Sequence, residues 1–389
     1  MKQRGVMHIL MAQMENGETI VLTSDIERNA LRRLRSQHQF YCPQCQSKVI
    51  LKVGEVVIPH FAHEQKTSCR DSFSEGESPE HLLGKRLLFN FFQNKGYAVK
   101  MEPFLRNLSQ RPDLVVETQK MSIPIEFQCS PIPHHKFRER SEGYRLAGME
   151  PLWILNTPAK FIEQQNGIGI FQLSKFHEQF LLTTPNEGDL LFSLHPPTST
   201  FHYMSSLLHI GGQRYIGLHN TLPYEAQTLP FSRPKAPSQS MIEQYYHLYK
   251  IQRNAFLSQR ILLNRKGIQD PFLRGCYEMR LHPIRLPLHF GVPVAHNRAF
   301  READCDWQIR LLYFLHKRKI EWRAASEKEL WSFARQFDEP NEEMVVACKE
   351  YLSFLEQCGI HNITAEGKNI ENKILRLISE RYVAKKVYN

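Results

Sequence analysis

The stretch from Arg111 to Gln128, RPDLVVETQKMSIPIEFQ, constrains the fold of this chain more than any other. Two short runs of β-forming residues, Leu114 to Glu117 and Ile123 to Phe127, flank a polar connection, which is the pattern of a β-hairpin. Asp113 precedes the first run, and Glu126 lies inside the second run between two apolar residues. A carboxylate in an apolar strand is costly to bury unless another group neutralises it. The stretch therefore predicts two neighbouring strands that bring acidic side chains together.

Carboxylates on neighbouring strands, with a third close by, are the ligands that a hard divalent cation takes in proteins. Asp113 and Glu126 are the first candidate ligands for Mg²⁺ or Mn²⁺, and Gln128 follows two residues after the second of them. In phosphodiester cleavage such a cation polarises the scissile phosphate and lowers the pKa of the attacking water. We therefore interpret Asp113, Glu126 and Gln128 as candidate catalytic residues.

The surrounding residues predict an α/β domain around this hairpin. Ser78 is a suitable N-cap and Pro79 suits the first position of a helix. The predicted elements are a helix over residues 80–95, a strand over 97–105, the two hairpin strands, a helix over 133–147 and a strand over 151–155. The order α-β-β-β-α-β predicts a mixed sheet with helices packed on it.

The two predicted helices supply further candidates for this site. Glu80 falls in the first turn of its helix and is the candidate third metal ligand and catalytic carboxylate, although an acidic residue there also stabilises the helix dipole. Lys85, on the same helix, is a candidate source of positive charge for a phosphate. Arg140 and Tyr144, on the second helix, are candidate phosphate contacts.

A second cluster, near the amino terminus, indicates a zinc site. Cys42 and Cys45 form a Cys-x-x-Cys pair, in which two thiolates bind one tetrahedral Zn²⁺. The remaining two ligands come from His60, His63 and Cys69; His63 with Cys69 is favoured, because a six-residue gap can loop back to the ion. Four protein ligands would close the site and make the zinc structural. The alternative is a reduced cysteine pair with unrelated histidines.

Short β-forming runs surround these ligands. Residues 8–23 form two runs joined by Asn16 and Gly17, which is a strong hairpin signal. Ser24 and Asp25 are predicted to cap the helix that follows. Residues 48–51 and 55–58 are predicted to be two strands turned at Gly54, the layout of a zinc ribbon.

Composition bounds the partners and the location. The chain has 389 residues, with 50 Lys and Arg against 40 Asp and Glu, which gives a formal net charge of +10. This balance favours a nucleic-acid partner. No run of 18 apolar residues occurs, so we expect no membrane span and a cytoplasmic protein. We expect three domains, namely a hairpin and zinc-ribbon domain over 1–75, the α/β domain with the acidic hairpin over 76–230 and a helix-rich domain over 231–389.

The order helix-Glu, strand-Asp, strand-Glu-x-Gln, helix, strand resembles the PD-(D/E)xK restriction-endonuclease-like fold, in which a lysine usually stands at the position of Gln128. The wider pattern resembles the competence protein CoiA family over about residues 8 to 175. Its motifs are FYCPQCQSKV, IPHFAH, SEGES-x-EH-x-x-GK, RPDL, IEFQCS, F-x-x-R-x-x-GY and PLWIL. The resemblance implies that the protein processes or recombines incoming DNA, in single-stranded form, during natural transformation.

Three functions are compatible with these residues. The first is a Mg²⁺- or Mn²⁺-dependent DNA nuclease. The second is a catalytically weak or inactive nuclease fold that binds DNA or docks a recombinase, because Gln128 carries no charge and cannot exchange a proton near pH 7. The third is an interaction protein whose helical carboxyl half docks a recombinase or another competence protein.

Overall fold

The computed structural model describes residues 8–63, 78–184, 188–229, 231, 237–263, 265, 267–364 and 369–382. The chain divides into two compact units, each assembled from separate stretches. Unit 1 comprises residues 1–165, 191–203 and 220–233, and unit 2 comprises 166–190, 204–219 and 234–389. The three domains expected from the sequence, with boundaries after residues 75 and 230, stay a prediction about the linear organisation.

The amino-terminal part of unit 1 is an antiparallel sheet with one helix. Its elements are β1 (His8–Ile9), β2 (Met11–Met14), β3 (Thr19–Val21), α1 (Arg28–Gln37), β4 (Phe40–Tyr41), β5 (Lys48–Lys52) and β6 (His60–His63). The strand order is β1-β6-β5-β4-β2-β3. The predicted Asn16-Gly17 hairpin is present between β2 and β3, and Gly17 adopts a φ of 86°, which favours glycine.

Two local predictions in this sheet are wrong. The N-cap of α1 is Glu27, because the hydroxyl of Ser24 instead accepts a hydrogen bond from Asn90 and the carboxylate of Asp25 is bonded to Thr23. The strand predicted over residues 55–58 lies over His60–His63. Glu55 instead pairs with arginines of α1, so the segment before His60 forms a loop beside that helix.

The second sheet of unit 1 contains the predicted hairpin. The elements that lead through it are α2 (Pro79–Asn94), β7 (Ala98–Met101), β8 (Leu114–Glu117), β9 (Ser122–Gln128), α3 (His134–Leu146), β10 (Leu152–Asn156) and α4 (Ala159–Ile162). Strands β7, β8 and β9 are antiparallel, and β10 runs parallel to β9. The mixed α/β order predicted from the sequence is therefore confirmed.

Of the next five strands, two lie in unit 2 and three are divided between the units. They are β11 (Gly167–Gln172), β12 (Leu182–Thr184), β13 (Gly188–His195), β14 (Thr200–Gly211) and β15 (Arg214–Pro223), and the short helix α5 (Lys175–Glu178) lies among them. The division between the units runs through β13, β14 and β15. Within unit 1, β13 pairs in parallel with β10, and within unit 2, β11 pairs antiparallel with β15.

Helix α2 packs tightly on the second sheet of unit 1. The side chain of Ser78 accepts a hydrogen bond from the backbone N–H of His81, which confirms the predicted N-cap. A Cβ atom on Gly84 would lie 2.7 Å from Cζ of Phe127, and closer still to Cε1 and Cδ1 of that ring, so only glycine fits here. Further along α2, buried Phe91 and Phe92 pack in an aromatic cluster with Phe192, Phe201 and Phe231 of the same unit.

The carboxyl-terminal part of unit 2 is helical, as expected. Its helices are α6 (Gln239–Leu262), α7 (Pro271–Glu278), α8 (Asp304–Lys317), α9 (Glu327–Ala334), α10 (Glu342–Gln357) and α11 (Ile370–Tyr382). They share a core that includes fully buried Trp307 and Tyr351. None of the helices in the described part of the chain combines the length and the apolar character needed to span a bilayer.

Candidate active site and metal centre

The hairpin brings Asp113 and Glu126 opposite each other. Strands β8 and β9 pair with Leu114 opposite Ile125, so Asp113 extends the ladder beside Glu126. The backbone N–H of Phe127 donates to Asp113 Oδ2 at 2.8 Å. The Glu126 side chain is buried, and burial together with the nearby Asp113 charge raises its pKa although the Arg140 charge opposes the shift. The sheet thus holds the carboxylates of Asp113 and Glu126 close enough for their charges to interact.

Helix α2 supplies the groups that face Asp113. His81 Nε2 lies 3.1 Å from Asp113 Oδ2, and Lys85 Nζ lies 4.0 Å from Asp113 Oδ1. His81 and Lys85 are one helical turn apart, so they share a face. Burial alone would raise the pKa of Asp113, but the His81 and Lys85 charges and the Phe127 N–H hold it well below its usual range. Asp113 is therefore an ionised carboxylate at neutral pH.

Helix α3 supplies the groups that face Glu126. The Arg140 guanidinium forms an ion pair with Glu126, and the Tyr144 hydroxyl donates to the same oxygen at 2.5 Å. Arg140 also donates to the carbonyl of Arg111, at 3.3 Å, while its Nε–H is buried and has no partner among the residues that the structure describes. Burial and the adjacent Glu126 carboxylate raise the pKa of the Tyr144 phenol well above its usual range, so it stays protonated. Arg140 and Tyr144, which the sequence suggests as phosphate contacts, therefore contact one of the candidate carboxylates.

Lys85 has a partner that sequence reasoning missed. Its ammonium group is fully buried and lies 2.5 Å from Glu102 Oε1, and Glu102 itself is 3% exposed. Glu102 follows directly on β7. A glutamate that ends an apolar run before Pro103 is a weak sequence signal, since most such residues face water. His81 was also missed, because it resembles an ordinary surface residue.

Two predicted site residues lie apart from these contacts. Glu80, in the first turn of α2, is exposed. A metal ion needs several ligand atoms close together. Among the described residues, only Cys42, Cys45 and His63 bring three such atoms within 4.8 Å of one another. The predicted ligands Glu80, Asp113 and Glu126 do not form such a group. The Gln128 side-chain amide donates to the carbonyl of Ser130 at 2.7 Å.

The Cys/His cluster brings together three of the four predicted zinc ligands. Cys45 Sγ lies 3.4 Å from His63 Nε2, and Cys42 is buried beside them. His60 Nδ1 instead lies 2.9 Å from the carbonyl oxygen of Ile58, away from the thiols. Cys69 lies outside the described residues. Hydrogen bonding to Cys42 raises the pKa of His63 to about 9. Two thiols and an imidazole at this spacing are a donor set that a structural metal takes.

Comparison with known proteins assigns these two regions to known domains. Residues 77–235 match the model of the competence protein CoiA nuclease-like domain, so the sheet with the buried carboxylates belongs to a nuclease-like domain. Residues 23–72, which include Cys42, Cys45 and His63, match the CoiA N-terminal domain.

The chain belongs to the competence protein CoiA family. It is 28% identical over 284 residues to competence protein CoiA of Bacillus subtilis (strain 168), and the match covers 72% of each chain. No solved structure matches the chain.

Proposed function

We propose that this protein is a metal-dependent nuclease that acts on DNA during natural transformation. The observation that supports this most is the pair of carboxylates, Asp113 and Glu126, held opposite each other in a nuclease-like domain. The element order also resembles the PD-(D/E)xK fold, with acidic residues at the corresponding places, Asp113 directly before β8 and Glu126 on β9.

The side chains of this site fit a divalent cation in type. Asp113 and Glu126 offer carboxylate oxygens, which are the ligands that Mg²⁺ and Mn²⁺ take in proteins. Such an ion, when bound, polarises a phosphate and lowers the pKa of a coordinated water. Glu80 would be a third ligand only if its exposed side chain turned toward Asp113, beside which its neighbour His81 lies.

Basic side chains of the protein would stabilise the negative charge on the phosphate. Lys85, at 4.0 Å from Asp113, places positive charge beside that carboxylate and would replace the charge of the lysine that the PD-(D/E)xK fold usually carries on β9. Gln128, which occupies that β9 position, is uncharged and bonded to Ser130. Arg140 adds a second cation beside Glu126. Fixed positive charge near a developing oxyanion stabilises the transition state by about 3 to 4 kcal/mol for each well-placed donor.

The amino-terminal cluster would hold a structural Zn²⁺. The proposed ligands are Cys42, Cys45 and His63, which lie together, with Cys69 as the fourth. Because all four positions would be filled by protein, this ion would stabilise the amino-terminal sheet and take no part in cleavage.

The direct test is cleavage of labelled single- and double-stranded DNA by the purified full chain with Mn²⁺ or with EDTA. We expect products only with Mn²⁺, and no products from Asp113→Asn or Glu126→Gln. Glu117→Gln is the matched control, because Glu117 lies on β8 but pairs with Lys100 away from the site. Equal cleavage by all four proteins, or equal cleavage in EDTA, would contradict the proposal.

A second function, a catalytically weak nuclease fold that binds DNA or docks a recombinase, has its own support. Both carboxylates are already paired with basic side chains of the protein, and the Gln128 amide donates to the carbonyl of Ser130. This function predicts DNA affinity that falls steeply with salt and no metal-dependent products. Titration of fluorescent DNA at several salt concentrations, beside the cleavage assay, separates the two functions.

A further inference from the structure

Glu102 occupies an unusual place in the fold. It is 3% exposed, and its backbone adopts a φ of 47°, in the left-handed region that residues other than glycine, asparagine and aspartate rarely enter. Strained backbone and a buried charge each oppose folding, by about 1–3 kcal/mol for the backbone alone. A residue that combines both is expected to have a role that depends on its side chain.

The contacts of Glu102 reach two separate parts of unit 1. Its Oε1 lies 2.5 Å from Lys85 Nζ. The same carboxylate accepts the backbone N–H of Leu10, at 3.3 Å to Oε1 and 3.2 Å to Oε2. The backbone N–H of Glu102 donates to the carbonyl of Asp113 at 2.8 Å. Glu102 therefore joins an amino-terminal residue, the buried lysine and the backbone of a candidate metal ligand.

Leu10 connects Glu102 to the sheet that carries the Cys/His cluster. It lies between β1 and β2 and is fully buried. Strand β1 pairs with β6, with His8 opposite Ala62, and His63 is the last residue of β6. A short series of backbone contacts thus runs from the cluster to the Glu102 carboxylate.

The Glu102 carboxylate keeps the ammonium group of Lys85 in place. A fully buried ammonium group requires a carboxylate, because an unpaired charge is strongly destabilising in the interior. Glu102 satisfies this requirement at 2.5 Å, and so Lys85 stays 4.0 Å from Asp113. Without the Glu102 charge, the ammonium group would turn to Asp113 and compete with a cation for its oxygens.

We propose that Glu102 is a positioning residue that ties the amino-terminal sheet to the nuclease-like centre and holds Lys85 beside Asp113 without occupying it. The part of this inference that concerns Lys85 and Asp113 rests on the proposed nuclease function and is tested through the Mn²⁺ requirement of cleavage. The contact between Glu102 and Leu10 can be measured even in a protein that cleaves no DNA.

The experiment compares the full chain with Glu102→Gln, Glu102→Asp and the control Glu117→Gln. The first readout is hydrogen exchange, by mass spectrometry, of a peptide spanning residues 6–14, which contains Leu10. We expect exchange of the Leu10 amide to be about tenfold faster in Glu102→Gln, because a charged acceptor has been replaced by a neutral one. Peptides from β5, which belongs to unit 1 and lies away from Glu102 in the chain, serve with peptides from unit 2 as internal controls for general unfolding.

The second readout is the Mn²⁺ concentration that gives half-maximal cleavage. We expect it to rise about 10- to 100-fold in Glu102→Gln, the usual effect of losing a partner that orients a metal ligand. Glu102→Asp, which keeps the charge, should recover part of this loss, and Glu117→Gln should behave as the unaltered chain. Glu117→Gln should also keep the apparent Kd for DNA of the unaltered chain, because Glu117 pairs with Lys100 away from the site.

The two readouts separate the inference from the proposed function. Unchanged exchange at Leu10 in Glu102→Gln overturns the inference, whatever the cleavage assay gives. An unchanged Mn²⁺ requirement in that variant overturns the part that concerns Lys85 and Asp113. If the unaltered chain cleaves no DNA while Glu102→Gln accelerates exchange at Leu10, the nuclease function fails and the link between the two sheets stands.

Discussion

Gly84 offers a sharp test of how α2 positions the site, because its contact with Phe127 leaves no room for a methyl group. In Gly84→Ala the new Cβ would lie 2.7 Å or less from three atoms of a ring that is 2% exposed. Ordinary contact between carbon atoms needs about 3.5–4.0 Å, so α2 must move by roughly 1.5–2 Å or the ring must leave its position.

The energetic cost follows from two opposing effects. Overpacking of a core costs about 1–3 kcal/mol, and alanine is better than glycine inside a helix by about 1 kcal/mol. We therefore expect a net loss of about 0–2 kcal/mol in the free energy of unfolding. The effect on cleavage should be larger, because His81 and Lys85 move with α2, and a misplacement of about 1 Å can lower a rate about 100-fold.

The assay pairs urea unfolding with DNA cleavage. Gly275→Ala is the matched control, since that Cβ would also be tight, at 2.9 Å from Ile309 Cγ2, but lies on α7 of unit 2. The double variant Gly84→Ala with Phe127→Leu should recover cleavage, because the smaller side chain makes room while the backbone N–H to Asp113 remains. Full cleavage by Gly84→Ala alone, or no recovery in the double variant, would refute the reasoning.

Other expected outcomes concern charge, pH and zinc. Lys85→Met should lower the free energy of unfolding by about 3–5 kcal/mol, because it leaves the buried Glu102 carboxylate without a cation. The double variant with Glu102→Gln should regain much of that free energy, as measured by urea unfolding. The lowered folded-state pKa of Asp113 gives stability that is present above its unfolded pKa of about 3.9 and lost as pH falls below it. The unaltered chain should therefore be more stable than Asp113→Asn at neutral pH, and this difference in the free energy of unfolding should become smaller below about pH 4. Urea unfolding at a series of pH values measures it. Elemental analysis should find no bound zinc in His63→Ala and normal zinc in His60→Ala. Zinc lost from His60→Ala and kept by His63→Ala would instead make His60 the ligand.

The parts of the fold that sequence predicts well are those set by local patterns. Strand β8 begins and ends where the run of β-formers does, and Ser78 caps α2 as its side chain and the following proline indicate. Once the hairpin is known, the antiparallel register alone places Asp113 opposite Glu126. These features depend on a few neighbouring residues and therefore appear in the sequence.

The rest of the site depends on helix phase and on distant contacts. Successive helical residues point about 100° apart, so Glu80 faces solvent while its neighbour His81 contacts Asp113. No local pattern fixes that phase relative to the sheet. The contact of Glu102 with Leu10 joins residues 92 positions apart, and neither residue signals the other. The position of β6 at His60–His63 likewise depends on its pairing with β5, which no local pattern fixes.

The discontinuous make-up of unit 1 determines how the protein can be divided for experiments. The aromatic side chains that pack against Phe91 and Phe92 of α2 include Phe201 and Phe231, far beyond β10. A fragment that stops near residue 165 retains Asp113, Glu126 and the Cys/His cluster but exposes this aromatic surface to water. We expect such a fragment to aggregate, and a nascent chain to need synthesis past Phe231 before its nuclease-like unit can fold.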